Sequence, residues 1–175
     1  PLNLIARYRC FSGINCASPV ERPVTLGARQ AVLQNDVVRT LFDAVGTAGT
    51  IELSYDPALG DLSATSRTYT PSLPAPTYGT GVPALREADA QLSAFFLGLA
   101  SDGGNRSSGF RSNAGVYNPS DGSVEVTLKL YDGNGTLLGS VTRTWAAKEA
   151  FQYNDVFIAL GAGTTVTRNA FMEVS

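Results

Sequence analysis

The chain of 175 residues is 43% hydrophobic and only 16% charged, with 18 glycines and 9 prolines, a balance that suits many turns and few helices. A formal net charge of −2 and scattered arginines leave no footprint for nucleic acid, and no run approaches the roughly 18 apolar residues of a membrane-spanning helix. The absence of histidine removes Ser-His-Asp and Cys-His catalysis and most zinc sites.

Residues 2–9 alternate Leu2, Leu4, Ala6 and Tyr8 with Asn3, Ile5, Arg7 and Arg9, the pattern of a half-buried strand. Cys10 and Cys16 follow, in the loop before a second strand at 20–26. Their spacing suits a disulfide pinning a hairpin loop, which favours an oxidising compartment; the other reading is a pair of unpaired loop thiols. Two thiolates without further ligands cannot complete a tetrahedral metal shell.

Residues 30–34 lead into Asp36, whose carboxylate is placed to cap one turn of helix, and the apolar residues after it fold that turn back as a lid over a core. A strand at 50–55, a turn at 56–61 and a strand at 62–69 come next. Pro71, Pro74, Pro76 and Pro83 exclude a central strand from 70–90 and favour an extended crossing over the surface. Strand returns at 91–99, and the Gly, Ser, Asp and Asn content of 101–108 reads as a linker.

The remainder repeats the beginning. Asn35-Asp36-Val37 recurs as Asn154-Asp155-Val156 at 154 − 35 = 119 positions, with Asp155 as the second cap. Residues 2–8 fall on 124–130 at 124 − 2 = 122, and 51–54 fall on 172–175 at 172 − 51 = 121. Changes of two or three positions confined to turns, with alternation kept between them, are what repeated β units produce. Strands at 123–131 and 136–145 flank Asp132-Gly133-Asn134-Gly135, a two-strand hairpin signal, and 167–175 is the closing strand.

The expected fold is therefore all-β, with two related antiparallel β-sandwich units, each carrying one short capped helical turn. The first spans 1–100 and the second 109–175.

Several stretches carry a resemblance. Phe110-Arg111-Ser112-Asn113 running to Asn118-Pro119, then 130–139, then Tyr153-Asn154-Asp155-Val156, resemble the tandem Ig-like β-sandwich repeats of large secreted bacterial proteins. Ser66-Arg67-Thr68-Tyr69, Val82-Pro83-Ala84 and Phe96-Leu97-Gly98-Leu99 are similar to the same family's later strands and crossing loop. The resemblance covers nearly the whole chain and rests on packing and turn motifs, so no activity travels with it. It implies a strand like 110–117 ahead of the first copy, and counterparts of 62–69 and 92–99 after the second.

Candidate chemistry is sparse. Asp56 with Asp61 or Asp102 could serve as paired carboxylates, but turn aspartates of this kind are loop caps. Asp132 to Thr136 has oxygens at alternate positions yet lacks the distal glutamate of a calcium loop. Trp145 matches Leu26 in the duplication and reads as core, while Tyr117, Tyr131 and Tyr153 read as half-buried strand or rim residues. Asn105 and Asn134 fit the acceptor pattern for N-glycosylation.

These observations favour a non-enzymatic, extracellular structural or adhesive protein without a cofactor or metal, a surface-fibre subunit assembled head to tail by strand addition. The partners are copies of itself or adjoining domains, with a surface glycan as a further candidate ligand and no nucleic acid or membrane insertion. Subunit contacts are expected at Leu2, Leu4, Ala6, Tyr8, Phe171, Met172 and Val174. The alternative is a passive spacer or carbohydrate-binding module of a larger secreted protein.

Overall fold

A computed structural model describes residues 1–16, 19–69, 79–104 and 111–175. The proline-rich stretch 70–78, the expected linker residues 105–108, the start of the second copy at 109–110 and the Asn105 acceptor lie outside the described residues.

The protein is all-β. Its strands are β1 (Leu2–Cys10), β2 (Val20–Leu26), β3 (Gly49–Tyr55), β4 (Thr65–Tyr69), β5 (Gly79–Pro83), β6 (Ala94–Asp102), β7 (Ala114–Tyr117), β8 (Val124–Tyr131), β9 (Leu137–Trp145), β10 (Ala150–Tyr153) and β11 (Val166–Val174). Two single-turn helices, α1 (Val37–Thr40) and α2 (Val156–Ala159), each follow an aspartate.

Two larger antiparallel sheets hold most of these strands, in the orders β2-β1-β3 and β6-β11-β8-β9. They share a register that follows the sequence duplication. Tyr8 opposes Ile51 and Leu130 opposes Met172, at offsets of 130 − 8 = 122 and 172 − 51 = 121. Leu2 opposes Leu26 and Val124 opposes Trp145, at 124 − 2 = 122 and 145 − 26 = 119. A one-residue slip would turn every inward side chain outward, so the shared register preserves the same buried face in both sheets.

The two cores differ in extent. Around the first sheet the fully buried apolar set is Leu4, Ala6, Tyr8 and Phe42, with Phe42 stacked on the Tyr8 ring at 5.3 Å. Around the second sheet the buried set is far larger, bringing together Leu128, Leu130 and Met172 of the sheet, Ala114 of β7 and Val156 and Phe157 of α2. The two-stranded sheet β10-β7 packs against this second core through Ala114, Val116, Phe151 and Tyr153.

Several expectations are corrected by the strand pairing. β6, grouped by sequence with the first copy, pairs along β11, and Phe96 and Leu99 join the second core. Ser101 and Asp102, expected in the linker, belong to this strand. The place after the second copy, expected to be empty, is thus filled from ahead of it. Within 70–90, residues Gly79–Pro83 form a strand of their own, paired with β4 as a separate hairpin, where a plain crossing was expected.

The expected subunit contacts are internal. β1 lies between β2 and β3, and β11 lies between β6 and, along Phe171–Val174, β8, so both are interior strands of their sheets. Leu2, Leu4, Ala6 and Tyr8 are buried, as is Met172, while Val174 packs on the second core and Phe171 stacks on Tyr131 at 5.0 Å. Alternation in these strands marks a core face, which is chemically indistinguishable in sequence from an apolar interface.

Candidate functional site

The site worth building in detail is the lid of the first half, because its duplicate shows what a complete version contains. In the second half, β10 enters the lid paired with β7: Tyr153 opposes Ala114, Gln152 opposes Gly115, Phe151 opposes Val116 and Ala150 opposes Tyr117. The chain then turns at Asp155, whose φ of 68° and ψ of 85° lie in the left-handed region. Aspartate tolerates this conformation better than most residues because its short side chain bonds locally. Here the Asp155 carboxylate accepts from the Ile158 amide at 3.3 Å.

Two further bonds tie the turn to the stretch ahead of β7. The Asp155 amide donates to Asn113 Oδ1 at 3.0 Å, and the Val156 amide donates to the Ser112 carbonyl at 2.9 Å. Ser112 also reaches β6, its hydroxyl exchanging bonds with the Ala100 amide and carbonyl. Ser112 and Asn113 were not singled out as functional by sequence; the available signal was a polar pair standing directly before an alternating strand. The Asp155, Val156 and Ile158 amides at the start of this lid therefore all have partners, and Asp155 is only 4% exposed.

The first half has the same turn, and among the described residues no strand covers it. Asp36 holds the equivalent left-handed position, φ 49° and ψ 55°, but its side chain makes no capping bond. The expected cap is corrected here: Asp36 is exposed, its carbonyl accepts from the Arg39 and Thr40 amides, and its carboxylate stays in water. Among the described residues the Asp36 and Val37 amides have no partner. Residues 31–34, counterparts of β10, pair with no strand among the described residues and expose Val32 to 46% and Leu33 to 84%.

Residues from the two ends of the chain meet at a polar junction away from the residues of this lid. The Ser12 amide donates to the Ala150 carbonyl at 2.8 Å, and its hydroxyl donates to Glu149, which also pairs with Arg143. Burial raises the Glu149 pKa, but the Ser12 hydroxyl, the Ala146 amide and the Arg143 charge together outweigh it and hold the carboxyl below the usual range. Across the junction the Tyr117 hydroxyl donates to Glu52, which also pairs with Arg7 and Arg9 at 3.1 and 3.0 Å. An open cleft of about 280 Å³ runs here between the Cys10–Cys16 loop and residues 147–150.

The remaining candidate residues fall elsewhere. Cys10 and Cys16 form a disulfide closing the loop after β1. Asp56 accepts from the Ala58 amide at 2.9 Å and caps a short 3-10 turn, while Asp102 pairs with Arg168 on β11. Asp132 accepts from the Asn134 and Thr136 amides; chiefly the Thr136 bond draws its pKa down. These are hairpin-turn bonds, and Asn134 sits between them at the tip between β8 and β9. Trp145 is fully buried, and Arg143 lies over its ring and that of Phe151 at 4.9 and 4.3 Å. Among the described residues no cluster of three His, Cys, Asp or Glu side chains is placed to hold a metal ion, and no helix is long and apolar enough to cross a membrane.

The arrangement can recognise peptide backbone: it offers unpaired amides, an unpaired run of chain and apolar side chains beside them. Comparison of the chain with protein-family models, with curated proteins and with solved structures returned no match.

Proposed function

We propose that the chain is a non-enzymatic, extracellular structural protein made of two related Ig-like units, acting as one link of a head-to-tail fibre joined by strand addition. The observation that carries the reading is an asymmetry between equivalent strands: β11 has a neighbour on each edge, β6 and β8, whereas among the described residues β3 pairs with β1 alone. The place that β6 fills in the second unit has no occupant among the described residues of the first, and towards its end Leu53 and Ser54 of β3 are exposed.

A donor edge exists in the same molecule. β6 ends its sheet, and along 94–98 its outer side has no hydrogen-bonding partner among the described residues. It exposes Phe95 to 63% and Leu97 to 76% and carries no charge or proline there. Natural edge strands are ordinarily blunted by such residues, as β2 is by Glu21, Arg22 and Pro23. One donor edge and one different acceptor edge per copy make a heterologous contact, which propagates as an open chain.

Light scattering after size exclusion, with negative-stain microscopy, tests this directly. Polymers that disappear in the Phe95→Lys, Leu97→Lys variant support the fibre, and a monodisperse monomer at high concentration rejects it.

A further inference from the structure

We infer that the lid of the first half is an acceptor for one extended peptide strand of the pattern Ser-Asn-small-Gly-β-branched-aromatic, carried by a repeat of this kind other than the two in this chain. This goes beyond the fibre reading, since it concerns the lid and not the sheet edges, and the two can fail separately.

The duplication specifies the ligand. The lid of the second half is closed by Ser112-Asn113-Ala114-Gly115-Val116-Tyr117, which supplies one side-chain oxygen, one carbonyl and a short antiparallel pairing. Carried over at the offset of 154 − 35 = 119, an incoming Ala-Gly-Val-Tyr stands opposite Gln34, Leu33, Val32 and Ala31. Its asparagine side chain then accepts from the Asp36 amide and its serine carbonyl from the Val37 amide, the two donors left without partners. The incoming valine covers Val32, now 46% exposed, while Leu33 on the other face stands opposite the incoming glycine.

The chain's own strand is not the occupant. Ala114 is buried in the second core and Ser112 is bonded to both β6 and α2, so moving this segment to the first lid would uncover the second. Passing this strand from one copy to another only moves the vacancy, so the occupant is a further segment of the same pattern that is not already held in a lid of its own, and main-chain pairing with alternate side-chain contacts is the mode by which it is recognised.

The test adds a synthetic peptide of sequence 111–119 to the full-length chain and follows backbone amides by NMR and hydrogen exchange. Saturable shifts at 31–37, with the Asp36 and Val37 amides exchanging about tenfold more slowly, are expected. A peptide carrying Asn113→Ala loses one backbone bond and binds about tenfold more weakly, and one carrying Gly115→Pro does not bind. No saturable shift up to millimolar peptide, shifts confined to 150–157, or equal binding of all three peptides would overturn the inference. Peptide binding by a chain that stays monomeric would keep it while rejecting the fibre.

Discussion

Asn113 holds the amide of Asp155 at 3.0 Å, so the residue that starts the second lid is positioned by a side chain 42 positions earlier. Asn113→Ala strands that amide inside a covered turn and is expected to cost about 1–3 kcal/mol. Hydrogen exchange should rise at 155–159 with little change at 36–40. Unchanged exchange at 155–159 would show that the bond does not hold the lid.

The two aspartates allow a matched comparison. Asp155→Ala and Asp36→Ala both put at a left-handed position a residue that tolerates it less well than aspartate, a shared backbone cost below about 1 kcal/mol because a Cβ is already present. Only Asp155 also accepts a capping bond, worth roughly 1 kcal/mol more. Local opening free energies from hydrogen exchange in the two variants should differ by that amount, with Asp155→Ala the more damaging.

Gly139 of β9 lies where the lid returns to the sheet, and a Cβ built there would stand 1.9 Å from the Leu160 carbonyl oxygen. The obstacle is backbone, which cannot rotate away as a side chain would. Gly139→Ala is expected to lift the end of the lid and lower stability by about 1–3 kcal/mol, measurable by urea denaturation followed by Trp145 fluorescence.

The disulfide closes a short loop, with a sequence separation of 6, so its removal should cost the first half about 2 kcal/mol through the unfolded chain. The same loop carries Ser12 to the Ala150 carbonyl. A Cys10→Ser, Cys16→Ser variant is therefore expected to speed exchange at the Ser12 amide as well, linking reduction to a looser junction. A junction amide that exchanges at the native rate would separate the two effects.

Glu149 supplies a pH dependence of defined sign. Its folded pKa is held below the ordinary glutamate value of about 4.3, so the stability it contributes is complete above that value. It is lost as pH falls through the lower, folded value. Glu149→Gln should flatten the acid limb of a stability-versus-pH curve, whereas an unchanged acid limb would remove Glu149 from the junction's energetics.

Much of the architecture was legible from local pattern. The offsets that relate Leu2 to Val124 and Leu26 to Trp145 identify positions that the sheets place in equivalent registers. Trp145 was readable as core because its counterpart Leu26 is apolar, and the Cys10–Cys16 bridge because the spacing suited it. What escaped was non-local. β6 was grouped with the strands preceding it because nothing in 94–102 states that its partner stands at 166–174. The difference between Asp36 and Asp155 was invisible for a related reason: both have the same neighbours in sequence, and only Ser112 and Asn113, arriving from elsewhere, separate them. For Leu2, Leu4, Ala6, Tyr8, Phe171, Met172 and Val174 alternation reports one apolar face without saying whether a core or another subunit lies against it.

β6 and β7 stand ahead of the strands they cover, and this moves the point at which such a polypeptide divides cleanly. A cut between Pro83 and Ala94 sends the whole second core away intact, while a cut after Ala100 tears a strand out of it and leaves both pieces adhesive.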